Sequence, residues 1–235
     1  MARVIWFMEM LLLMEAEAKS LVSGENLSYE RSLKKELFEI LEEVELLYGP
    51  RDHSYEMLEP RITECLYGHP RVYPSKKVRI CLTREAKRSG FLAAYGLSHE
   101  AVHVLSPGSL RVVRDTLLEE GLATYFSFKY MKRAYGLQYH TTGSRLYDAA
   151  LRGVTTLLAK NEFVIKEIRT QEPVISKIDE KLLVEASGID PELAKFLCRD
   201  FWNDFEPPVS RKTLATQHAR LFAKGVQSFW EDWKI

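Results

Sequence analysis

Cysteine is scarce in this chain: Cys65, Cys81 and Cys198 are the three present, and no two of them have Cys-x-x-Cys spacing. An odd count without a close pair excludes the disulfide framework of a small secreted domain and predicts free, mostly buried thiols in a reducing, cytoplasmic setting. A surplus of either charge is also lacking. Thirty-three Lys and Arg residues balance thirty-three Asp and Glu residues, so no overall field draws the protein to nucleic acid or to an anionic membrane. Internal repeats, low-complexity tracts and flexible linkers are missing too, which argues for one compact domain over residues 1–235. No apolar run reaches the roughly 20 residues that a bilayer-spanning helix needs, so stable membrane insertion is not expected. The one stretch that invites comparison with a secretion signal runs from Val4 to Met14, after Arg3 and before Ala16-Glu17-Ala18. Glu9 interrupts it, so an amphipathic helix is the favoured reading, with the signal as the alternative.

What is present is an ordinary globular composition, 46% hydrophobic over 235 residues, enough to bury a core without staples. Leu33, Leu37, Ile40, Leu41, Val44 and Leu47 recur at helical spacing, with Ser28 as a cap and Gly49-Pro50 as the stop, which predicts a helix over 29–48. After the breakers Gly68, Pro70 and Pro74, the segment Lys77 to Leu82 alternates polar and apolar residues, and Val78 to Leu82 is expected to be a strand. Helices follow from Phe91 to Leu105 and from about Leu110 to Ala134, then near 144–160, 175–187, 191–203 and 211–232. The expected fold is α+β and mostly helical. It comprises N-terminal helices over 1–50, a core over 75–135 with a small sheet, and a helical part over 140–235.

Chemistry is concentrated in His99-Glu100-Ala101-Val102-His103. Helical residues four apart lie one turn apart on the same face, so the two imidazoles can share one metal ion. Glu100 leans toward the same cleft at a different angle and is placed to act as a base. Random occurrence of this pattern in a chain of this length is on the order of 0.01, so its surroundings have to support it. They do: Leu97, Val102, Val104 and Leu105 flank the motif, and imidazoles buried among them need polar partners. A catalytic zinc takes three protein ligands and leaves one position open. Glu120 supplies a third, since it lies on a helical stripe with Val113, Leu117, Thr124 and Phe128, a carboxylate on an apolar face that a divalent cation would neutralise. Gly121 beside it is expected to let this helix approach the HExxH helix closely.

These residues resemble the gluzincin metallopeptidases, over roughly Phe91 to Tyr130. The run Glu120-Gly121-Leu122-Ala123-Thr124-Tyr125 is similar to the glutamate-glycine segment of the aminopeptidase N-like branch. The resemblance implies a zincin-like core, one Zn2+ ion held by His99, His103 and Glu120, and Glu100 as the general base of peptide hydrolysis. It also implies Thr124 as an outer hydrogen-bond partner, a role weighed against ordinary packing. Departures are visible. The stretch 104–119 between His103 and Glu120 is a couple of residues short of the family's usual spacing. Glu119 stands where asparagine is usual, which keeps it in view as an alternative ligand. The run by which aminopeptidases recognise a free N-terminus is missing, so exopeptidase activity does not follow.

Elsewhere the signals are weaker. His140, beside Tyr139, is either an oxyanion stabiliser or an exposed loop residue. His53, His69 and His218 read as structural, Lys34-Lys35 and Lys76-Lys77 as solvated surface, and Trp202, Trp230 and Trp233 as core packing. The expected activity is zinc-dependent hydrolysis of a peptide or protein substrate, with Val78 to Leu82 as an edge strand that pairs with the extended substrate. A non-catalytic zincin-like scaffold and a zinc hydrolase of a non-peptide amide or ester are the alternatives.

Overall fold

The computed structural model describes residues 26–204, apart from 66–67, 88, 110–114 and 143. The expectations for the apolar N-terminal run, Val113, His218, the helix at 211–232 and the last two tryptophans lie outside the described residues. The first helix, α1, spans Asn26–Tyr48 and starts two residues before Ser28, which therefore sits in its first turn. Leu33, Leu37, Ile40, Leu41 and Val44 form its buried stripe, each at most 2% exposed. The helix stops at Gly49-Pro50, where Arg169 donates hydrogen bonds to the carbonyls of Tyr48, Gly49 and Pro50, satisfying acceptors that a helix end leaves free.

Four strands follow: β1 (Glu56–Met57), β2 (Arg61–Ile62), β3 (His69–Tyr73) and β4 (Lys77–Leu82). The expected strand is present, but it is the centre of the sheet and not an edge. One side of β4 pairs antiparallel with all of β3, from His69 opposite Cys81 to Tyr73 opposite Lys77. Its other side pairs in parallel with β1 and then β2. Both hydrogen-bonding edges of β4 are thus occupied, while β3 pairs with no other described strand. Pro70 within β3 fits an edge position, since a residue without an N–H weakens a central ladder. On β4, Val78, Ile80 and Leu82 are buried toward the helices and Lys77 and Arg79 face outward.

The next helix, α2 (Gly90–His103), starts at Ser89, whose hydroxyl accepts from the Leu92 amide, and packs against α1, β4 and α3. The following helix, α3, is Leu117–Tyr135 and does not begin near Leu110. Thr116 caps it by accepting from the Glu119 amide at 3.3 Å. Asp115 and Thr116 are drawn out of the helix by long-range pairing: Thr116 bridges Asp200, the Leu117 amide donates to the Arg199 carbonyl, and the Phe201 amide donates to the Asp115 carbonyl. The same pairing breaks the helix expected over 191–203 into α7 (Pro191–Leu197) and α8 (Phe201–Asp204). Between α3 and α7 lie α4 (Arg145–Lys160), α5 (Val164–Ile168), a 3-10 turn at Ile175–Lys177 and α6 (Glu180–Ser187). The expected helix over 175–187 is therefore a 3-10 turn followed by α6, whose start Asp179 caps.

Gly121 serves a different neighbour from the one expected. A β-carbon there would lie 2.7 Å from Val154 Cγ2 and 2.8 Å from the Ala150 carbonyl oxygen, so this glycine brings α3 against α4 and not against α2. All three cysteines are free, with Cys81 buried and Cys65 and Cys198 half-buried. No helix among the described residues is long and apolar enough to cross a membrane. Trp202 is 46% exposed, so its expected role in core packing does not hold.

Candidate metal centre

Two helices build the site. On α2, His99 and His103 project from successive turns, and the His103 Nε2 atom lies 3.4 Å from His99 Nε2. On α3, Glu120 faces them, with Oε2 at 3.3 Å from His99 Nε2 and Oε1 at 3.9 Å from His103 Nε2. The two imidazoles and this carboxylate each offer an atom within 4.8 Å of the others. Two nitrogens bound at about 2.0 to 2.1 Å to one tetrahedral ion stand about 3.3 to 3.4 Å apart, which matches the observed separation. The donor set of two imidazoles and one carboxylate suits zinc. Buried Glu120 also retains an oxygen, Oε2, with no hydrogen-bond partner. The residues therefore fit a divalent cation.

Glu119 takes another place. Its Oε1 lies 3.1 Å from His103 Nδ1. A neutral imidazole carries one N–H, so donation from Nδ1 to Glu119 leaves the Nε2 lone pair facing His99 and Glu120. Neighbouring helical residues point about 100° apart, which is why one glutamate reaches the shared centre and the other the far side of the ring. Asp115 joins this outer group: His103, Asp115 and Glu119 form a second set within 4.8 Å, and the Trp202 indole N–H donates to Asp115 Oδ2 at 3.2 Å. Thr124, read as an outer partner, is fully buried, but its hydroxyl makes no hydrogen bond.

Glu100 is 6% exposed. Burial pushes its carboxyl above the usual range, and the facing His99 and His103 only partly counter that. A base held nearer neutrality is better matched to accepting and returning a proton. Its carboxylate lies against the chain just before β3: a β-carbon at Gly68 would meet Glu100 Oε1 at 2.7 Å. His69, read as structural, contributes its charge to the Glu100 environment and so stands beside the site. Burial alone would lower His103, but the hydrogen bond to Glu119 and the charges of Glu120, Glu119 and Glu100 raise it well above the ordinary histidine value. Burial alone would raise Glu120, but His103, His99 and the Tyr147 hydroxyl hold it below the usual carboxylate range.

Aromatic rings close one wall. Tyr95 stacks on His99 with centroids 6.4 Å apart, and Tyr147 meets His99 edge-on at 6.2 Å. Tyr139 packs on Phe128 and Tyr95, and its hydroxyl is buried without a hydrogen-bond partner. His140 is exposed. Nothing in the sequence marks Tyr147, Tyr95 or Asp115 as part of the site, and Gly68 reads there only as a chain breaker, because single aromatic, acidic and glycine residues carry no spacing signal. Comparison with known protein families, curated proteins and solved structures finds no match to this chain.

Proposed function

We propose that the chain is a zinc-dependent peptidase with a zincin-like core resembling that of the gluzincins. The observation that carries this reading is the convergence of His99 Nε2, His103 Nε2 and the Glu120 carboxylate beside the buried Glu100. Zinc, when bound, supplies a Lewis acid that polarises a carbonyl and makes a water more acidic. His99, His103 and Glu120 hold the ion, and Glu119 fixes the His103 ring with Nε2 toward it. Glu100 accepts the proton of the attacking water and returns it to the departing amine. The residue before β3, Gly68, packs against the Glu100 carboxylate.

The test is digestion of a broad peptide library by the purified chain before and after chelation. Internal cleavage is expected to stop with the chelator and to return with one equivalent of zinc in the wild type but not in Glu120→Ala. Cleavage that survives complete metal removal would contradict the proposal.

A further inference from the structure

Glu120 meets two neighbouring helices. On the α2 side, its Oε2 atom lies 3.3 Å from His99 Nε2. On the α4 side, Tyr147 in the first turn donates its hydroxyl hydrogen to the Glu120 carboxylate. Since Glu120 Oε2 has no hydrogen-bond partner, this bond falls on Oε1. The carboxylate is thus divided, with one oxygen anchored and one bare. The close approach behind this is set by the backbone: Gly121 follows Glu120, Ala150 lies one turn after Tyr147, and a β-carbon on Gly121 would stand 2.8 Å from the Ala150 carbonyl oxygen. The tyrosine ring is seated as well. It meets His99 edge-on with centroids 6.2 Å apart and packs at 4.8 Å on Phe201, which is fully buried and tied by its amide to the Asp115 carbonyl. Asp148 fastens the start of α4 by accepting from the Thr142 amide at 2.6 Å and the Thr142 hydroxyl at 2.7 Å.

A carboxylate can give a cation one oxygen or both. Two imidazoles and one oxygen make three protein ligands and leave a tetrahedral ion one open position, which a second oxygen from Glu120 would fill. The imidazole nitrogens near Glu120 are themselves candidate ligands, whereas the Tyr147 hydroxyl is a donor that is not. We propose that Tyr147 is a positioning residue: by occupying Oε1 it restricts Glu120 to a single ligating oxygen, Oε2, and keeps the fourth position of the metal open. The proposal rests on the metal centre of the peptidase reading, but the coordination it describes can be measured without cleavage. Tyrosine fits the task, because its hydroxyl is a donor at neutral pH and its rigid ring carries that donor across from α4 with an apolar body to pack against.

The test loads the full chain with one equivalent of Co2+, whose visible absorption reports its coordination, in wild type, Tyr147→Phe and Tyr130→Phe. The first variant keeps the ring and removes only the hydroxyl. The second removes a hydroxyl that donates to Glu36 on α1 and serves as control. Wild type and Tyr130→Phe are expected to show the intense bands of a four-coordinate ion, and Tyr147→Phe the weaker bands of a five-coordinate one. Azide, the probe of the open position, should bind Tyr147→Phe about tenfold more weakly. In the wild type alone, the infrared difference spectrum on metal binding should show the wide carboxylate splitting of one-oxygen ligation, a reading that needs no variant to fold. A narrow splitting there would overturn the proposal, as would unchanged bands and azide binding in Tyr147→Phe or an equal change in Tyr130→Phe. A fall in hydrolysis with bands and azide binding unchanged would also overturn it, placing the hydroxyl on the substrate instead. Failure of the wild type to bind Co2+ would remove the peptidase reading together with the proposal, whereas Tyr147-dependent bands in a chain that hydrolyses nothing would keep the positioning role and remove the peptidase reading alone.

Discussion

At the scale of single residues, the two nitrogens of His103 face different partners, Nε2 toward His99 and Glu120 and Nδ1 toward Glu119. Removing an outer partner of a metal-binding histidine typically costs 10- to 100-fold in metal affinity. Glu119→Ala should lose zinc affinity by about that factor in a competition titration against a chelating dye, and Glu119→Gln, which keeps an acceptor for Nδ1–H, should recover most of it. An Ala variant with wild-type affinity would show that the contact is idle. The raised state of His103 has a sign that can be checked. In the metal-free chain its stabilising contribution is complete below the ordinary histidine value of 6.5 and is lost as pH rises through the higher folded value. Zinc must displace that proton, so apparent zinc affinity should climb with pH across the neutral range. Calorimetry at pH 7 in two buffers of different ionisation enthalpy should find about one proton released per zinc; none released would contradict the His103 assignment. Gly68→Ala drives a β-carbon into Glu100 Oε1, and it should lower kcat with zinc content unchanged. The spacing of His99, Glu100 and His103 is legible in the sequence because a helix turns a count of four into a shared face. The roles of Glu119, Asp115 and Tyr147 are not, since they depend on where α3, α4 and α8 pack.

Among the elements, the ones with long regular periodicity were legible. The stripe of α1, the alternation of β4 and the apolar flanks of α2 each encode their own burial. The two-residue strands β1 and β2 are too short to show any period, and β3 is disguised by Pro70. The start of α3 and the break after α7 depart from the local sequence pattern for one reason. Both are set by hydrogen bonds between residues 115–117 and 199–201, a contact that no local pattern announces. That contact also fixes the first turn of the helix bearing Glu119 and Glu120. Gly121 in the next turn meets Val154 and the Ala150 backbone with no room for a methyl group. Gly121→Ala should therefore destabilise by about 1 to 3 kcal/mol, lowering the melting temperature by several degrees. An unchanged melting temperature would show that α3 and α4 can separate freely.

At the scale of the whole molecule, a mostly helical frame holds seven buried polar side chains, Ser98, Glu100, His103, Glu119, Glu120, Thr124 and Ser127, within α2 and α3. Four of them ionise. An arrangement this costly to bury is understandable if a cation completes it. Ligand binding to the folded state at 100 times its dissociation constant adds about 2.7 kcal/mol, so zinc should raise the melting temperature by roughly 5 to 10 °C, and Glu120→Ala should shrink that gain. If this buried cluster performs hydrolysis, Glu100 is the base it would use. The most direct measurement is the initial rate of peptide cleavage by wild type and Glu100→Gln, each loaded to the same zinc content. The rate is expected to be lower by about 10²- to 10⁴-fold in the variant with zinc retained. Equal rates at equal zinc would contradict it.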